Sequence, residues 1–197
     1  MVVKARRLLL LALLAVGVAQ ATTLVFLDVA GLTRSSTLVV RAKVRTVAAR
    51  WTKDGGRIMT DAVMDVTETW KGTPTRELVV IQPGGEVGDV GQIVHGTVRF
   101  TPGEDVVVFL EPRGDRYLLT GMVQGRFKVE TSSDGRSTYA RQELEGEALF
   151  LDPSTRRPVS PGGVVLPIDT LRAQVLAAAA ITVPLEPTRP SPVKVTP

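Results

Sequence analysis

Apolar residues recur at every second position in the chain's regular stretches. In TLVVRAKVRTVAARW (37–51), Leu38, Val40, Ala42 and Val44 alternate with Arg41, Lys43 and Arg45. One apolar and one basic face at a period of two predict a half-buried strand with its basic stripe toward solvent. Lys53-Asp54-Gly55-Gly56 has hairpin-turn composition. In the following RIMTDAVMDVTETWKG (57–72), Ile58, Ala62, Met64 and Val66 share one face, and Asp61, Asp65 and Thr67 take the other. The two stretches predict a long hairpin whose acidic outer face lies beside the basic stripe. Lys71-Gly72-Thr73-Pro74 ends it.

ELVVIQ reads as a short apolar strand, and QIVHGTVRF as a β-type run. Between them the glycine-rich part of IQPGGEVGDVGQIVHG (81–96) reads as a long exposed connection. Pro102-Gly103 fits the middle of a type II turn, and the apolar VVVFLE after it predicts the central strand. RYLLTGMVQGRFKVE predicts one bent or bulged strand around Gly121 and Gly125, followed by a turn at Ser132 to Gly135 and weaker strands near 137–141 and 148–151. Asp28 is placed to cap a short helical turn through Leu32. The one long helix is IDTLRAQVLAAAA, about 168–180, with Asp169 or Thr170 as cap and Leu171, Val175 and Leu176 on one side. Short strands separated by turns, with a helix near the end, predict a mostly β barrel or sandwich in a single domain, 22–183. Leu38, Val40, Val44, Val66, Val108 and Leu110 are expected in one core.

The two ends read differently. Lys4, Arg6 and Arg7 precede an apolar run from Leu8 to Val18, and Ala19-Gln20-Ala21 is a small-x-small site. Residues 1–21 therefore read as a cleaved signal peptide; an uncleaved anchor is the alternative, and the run falls short of the roughly 20 residues a span needs. Pro184, Pro187 and Pro190 in the 184–197 tail recur at the polyproline II period, and a disordered end is the plainer reading.

The signal peptide changes the charge argument. Three of the 24 lysines and arginines and none of the 20 acids lie in 1–21, leaving the rest of the chain at +1. That balance, with few aromatics, argues against nucleic acid as a partner. No cysteine is present. An exported domain without disulfides depends on its hydrophobic core, which favours a bacterial periplasmic or extracellular setting. No segment of 22–197 is expected to span a membrane.

Candidate chemistry is sparse. Gly84, Gly85, Gly88 and Gly91 enclose Glu86 and Asp89, with no Lys-Ser/Thr and a β-type run following, so a phosphate cradle is disfavoured. Two carboxylates are also few for calcium. His95 is the only histidine and has no cysteine or second histidine to complete a zinc set. No nucleophile elbow accompanies it. Asp61/Asp65 and Glu143/Glu145/Glu147 imitate a glycosidase pair, but without a desolvating aromatic beside them. No cofactor, metal or catalytic residue is expected. Trp51 and Trp70 are the aromatics placed to be exposed.

Three stretches carry a resemblance. SSTLVVRAKV (Ser35 to Val44), VTETWKG (Val66 to Gly72) and FTPGEDVVVFL (Phe100 to Leu110) resemble, in order, segments of the tissue inhibitors of metalloproteinases and the related netrin-like domains. The resemblance spans about half of the chain after the signal peptide. It implies a closed five-stranded barrel of the oligonucleotide/oligosaccharide-binding (OB) type with appended elements. Those inhibitors begin with a cysteine whose amino group and carbonyl chelate the protease zinc. Here the start is Thr22-Thr23 and no disulfide pins it, so the fold carries over and the inhibitory mechanism does not.

The expected function is a secreted or periplasmic, non-enzymatic module binding a protein or a cell-envelope component. By the resemblance, its partner-binding edge holds Thr22 and Thr23 together with Gly84, Gly85, Glu86, Gly88, Asp89 and Gly91. A metalloprotease partner or inhibitor is the second reading, and an exported hydrolase the third.

Overall fold

The computed structural model describes residues 22–144 and 148–181. The expected signal peptide 1–21, the proline-rich tail 184–197, and Glu145 and Glu147 lie outside the described residues. What is described is mostly β. Its strands are β1 (Thr23–Val25), β2 (Leu38–Trp51), β3 (Ile58–Lys71), β4 (Glu77–Pro83), β5 (Gly85–Val87), β6 (Val90–Gln92), β7 (Asp105–Arg113), β8 (Arg116–Leu119), β9 (Arg126–Thr131), β10 (Thr138–Arg141), β11 (Leu149–Leu151), β12 (Pro158–Val159) and β13 (Val165–Pro167). Two helices, α1 (Val29–Ser35) and α2 (Ile168–Ala180), complete it.

The main sheet runs β13-β10-β9-β7-β2-β3-β4-β8. β8 also pairs with β7, so the hydrogen-bonded order from β7 through β2, β3, β4 and β8 returns to β7. The long hairpin forms as its pattern predicts, with Trp51 opposite Ile58 and Val39 opposite Lys71. Its two charged faces meet across the strands. Arg41 pairs with Glu68, Arg45 with Asp65 and Arg50 with Asp61.

Two cores follow from the alternation. Leu38, Val40, Ala42 and Val44 of β2 pack inward with Ala62, Met64, Val80, Val108 and Leu110, and Val66 packs against them half-buried. On the opposite face Val39, Val107, Phe109, Trp70 and Phe127 meet Leu32 of α1 and Leu171 and Val175 of α2. β7 is thus buried on both faces from Val106 to Leu110, which is why those five residues include no polar position.

Several elements depart from the periodic reading. RYLLTGMVQGRFKVE is three pieces, β8, a 3-10 turn (Met122–Gly125) and β9. Gly125 allows this break, because a Cβ there would run into the Thr120 carbonyl. QIVHGTVRF extends β6 only to Gln92, and residues 93–100 form no strand. Asp28 caps α1 by accepting the Gly31 amide at 2.6 Å, and the helix continues to Ser35. α2 starts after Pro167 with no side-chain cap, and it buries Ala178 while Leu176 is 47% exposed. A helix packed against the sheet through Leu171 and Val175 presents i, i+4 and i+7, and Leu176 falls off that stripe. Trp70 is 4% exposed, packed under the helices with its indole donating to Glu68 at 3.0 Å; Trp51 alone is open, at 41%.

Candidate functional site

The glycine-rich stretch folds into a small hairpin of its own, β5 and β6, with Gly88 and Asp89 at the turn. It is fastened to the end of the β2–β3 hairpin. The Ile58 amide donates to the Gln92 side chain at 2.8 Å, the Gly84 amide to Ile58 O at 2.8 Å, and the Thr60 hydroxyl to Gly84 O at 2.7 Å. Gly85, at φ +129°, lies so close to the sheet that a Cβ would sit 2.9 Å from that of Ala49 and collide with the Thr60 hydroxyl. The stretch is therefore a docked element, and only its tip is a free loop.

Beyond the hairpin, residues 93–100 cross the same end of the main sheet. The buried Gln82 amide clamps this segment like a strand partner: its nitrogen donates to Val98 O, and its oxygen accepts the Val98 amide at 3.3 Å. Between the segment, the hairpin and the sheet lies a cleft of about 450 Å3. Val47 and Ala49 of β2, Thr60 of β3 and Gln82 of β4 border it from the sheet; Gly84, Gly85, Glu86, Gly91 and Gln92 border it from the hairpin side. Ile93, His95 and Arg99 complete the rim, and Ile93 is 87% exposed.

The start of the described chain is tied down without a disulfide. β1 pairs in parallel with β11, and the Leu149 amide donates to Thr22 O at 2.9 Å. The buried Gln124 side chain accepts the Leu27 amide at 2.8 Å and donates to Val25 O at 3.1 Å. The Thr22 hydroxyl donates to His95 O at 2.8 Å. Of the expected edge, the structure brings Gly84, Gly85, Glu86 and Gly91 to the cleft and holds Gly88 and Asp89 at the hairpin turn. Thr22 joins the cleft wall through His95, and Thr23 sits in β1 opposite Leu149.

The carboxylates have structural partners. Asp61 lies between Arg50 at 2.8 Å and Arg116 at 2.5 Å. Burial would raise its pKa, but hydrogen bonds from the two guanidinium groups outweigh that and hold it below the ordinary aspartate value. Asp65 pairs with Arg45 at 2.9 Å, and Glu143 meets Arg126 at 3.3 Å. Arg126 is itself buried against Glu104. An acid held ionised by arginines is the opposite of a general acid raised toward neutrality. Among the described residues no three His, Cys, Asp or Glu side chains gather as a metal-binding group. Among them, too, no helix is long and apolar enough to cross a membrane.

Sequence reasoning missed Gln82 and Gln92, the two amides that hold the cleft walls. The signal was present as a polar residue at each border of the glycine-rich stretch, in IQPGG and VGQIV. Residues 93–100 read as a strand because Val94, Val98 and Phe100 are apolar, and Val98 and Phe100 do pack into the inner core. No known protein-family model matches the chain, and no curated protein matches it in sequence.

Proposed function

We propose that the chain is an exported, non-enzymatic binding module built on an OB-like closed barrel, and that the cleft end of the barrel is its recognition edge. The barrel reading rests on the strand order that returns to β7 through β8. The recognition reading rests on one observation above the others. The cleft walls are held by side-chain-to-backbone clamps from Gln82 and Gln92, while Ile93 on the rim and Val90 on the adjoining hairpin stay exposed. A rigid scaffold that presents apolar side chains at a cleft mouth is suited to binding a protein or an envelope component. A metalloprotease partner is the second reading, favoured by the ordered 22–27 segment, although the Thr22 carbonyl that would face a zinc ion already accepts the Leu149 amide.

The test is affinity capture from the exported and envelope fractions of the source cells, with wild type and the Val90→Ser/Ile93→Ser variant side by side. Both side chains are exposed, so the variant should melt with wild type. A partner captured by wild type and lost by the variant supports the cleft edge. Equal capture removes the cleft from the reading, and turnover of a carbohydrate or ester panel by the purified chain would replace a binding module with a hydrolase. An assay against exported metalloproteases separates the second reading.

A further inference from the structure

β2 loses one of its two neighbours partway along. The last bonds on its β7 side run from the Val44 amide to Glu104 O at 2.8 Å and from the Gly103 amide to Val44 O at 2.7 Å. From Thr46 to Trp51 the strand pairs with β3 alone, after a register shift between Val44 and Thr46. The direction of each backbone group in this part follows from bonds on either side. The Thr52 amide donates to Arg57 O, the Gly84 amide to Ile58 O, and the Val66 amide to Arg76 O. In an antiparallel sheet successive residues bond alternate neighbours. Met59, Asp61 and Val63 of β3 therefore bond β2, and their partners are Arg50, Ala48 and Thr46. The N–H and C=O groups of Val47, Ala49 and Trp51 then point away from β3, and among the described residues none of them has a hydrogen-bond partner.

Val47 and Ala49 border the cleft. Residues 93–100 border the same cleft and contribute Arg99, its only arginine, which forms no ion pair among the described residues. Edge strands are ordinarily blunted by bulges, prolines or covering elements. Here the bulge sits before the free stretch and no proline interrupts it, and the docked hairpin meets Ala49 through its side chain at Gly85 and not through a backbone bond.

We propose that this gap is a strand-addition groove, in which an extended peptide segment of a partner protein pairs with the β2 edge at 47–51 and sets a carboxylate side chain against Arg99. The proposal deepens the binding-module reading and rests on it. Main-chain bonds to Val47, Ala49 and Trp51 would supply affinity in any register-compatible peptide. The carboxylate supplies selectivity through a forked bond to the guanidinium. The chain's own 184–197 segment fits less well, because Pro184, Pro187, Pro190 and Pro192 remove the donors a ladder needs. A second copy pairing edge to edge would bring the Arg45- and Arg50-bearing strands together.

The probe is a phage-displayed random dodecapeptide library panned on the full exported chain, with the strongest peptide then synthesised. Enriched sequences should be β-branched with a recurrent Asp or Glu. Binding should slow hydrogen exchange at the Val47, Ala49 and Trp51 amides. Ala49→Pro removes one free-edge donor and no β2–β3 bond, and should weaken binding about tenfold. Arg99→Gln should weaken the acidic peptide about fivefold and leave its Asp→Asn or Glu→Gln form unaffected. If Ala49→Pro melts early, the exchange pattern and Arg99→Gln decide. No enrichment, or protection confined to residues 85–92, overturns strand addition; the second result leaves the binding module standing. Protection of the same amides without peptide also overturns it. Loss of that protection on dilution would name a second copy as the occupant, and loss on deleting 184–197 would name the tail.

Discussion

The side-chain oxygen of Gln92 accepts the Ile58 amide at 2.8 Å, so one residue of the small hairpin completes the ladder of the large one. Ile58 has no strand partner for that amide on the β4 side, where pairing ends between Met59 and Pro83. Gln92→Ala should leave the amide without its acceptor and cost about 1–2 kcal/mol. Hydrogen exchange should quicken at Ile58 and across residues 84–92, while β7 amides keep their protection. Unchanged exchange at Ile58 would show that the clamp does not hold the hairpin.

Val108 lies in the inner core, opposite Val40 and fully buried. Val108→Asp places a carboxylate there without a partner, at a cost of several kcal/mol. That is most of the stability of an ordinary domain. Soluble yield and the melting transition should both collapse; an unaltered melt contradicts the central position of β7.

Asp61 makes one contribution to acid sensitivity, beside other arginine-paired acids such as Glu68 and Glu130. Its folded pKa is below the unfolded value, so the unfolded chain binds protons more readily and stability rises with pH. The contribution is complete at neutral pH and fades as pH falls below about 4, the ordinary carboxylate range. Asp61→Asn should lower the melting temperature at pH 7, by about 1–3 kcal/mol of stability. The gap to wild type should narrow toward pH 3. A gap of constant size across that range would place the acid response elsewhere.

Export with cleavage after Ala21 is the expectation from the first 21 residues. N-terminal sequencing of the exported protein should begin at Thr22. The contacts of Thr22 with Leu149 and His95 then belong to the first residue of the mature chain. A protein that retains Leu8 to Val18 would be anchored instead.

Local pattern by itself determined the long hairpin, the central strand, the inner core and the C-terminal helix. In each, burial of one face imposes a period that neighbouring residues must obey, so Leu38, Val40 and Val44 announce their shared face before any partner is known. The same argument set the basic stripe beside the acidic face, because alternation carries both to the outer side of one hairpin; the register that pairs Arg45 with Asp65 came with the fold. Only the tertiary structure decided the rest. Trp70 is buried because α1 and α2 cover the second face of the sheet, and nothing within VTETWKG records that covering. Gln82 and Gln92 became clamps, Gly84 to Gln92 became a docked hairpin, and the β2 edge at 47–51 was left open. Those outcomes depend on which distant backbone groups end up facing one another, and a single strand's period of two contains no information about its neighbour across space.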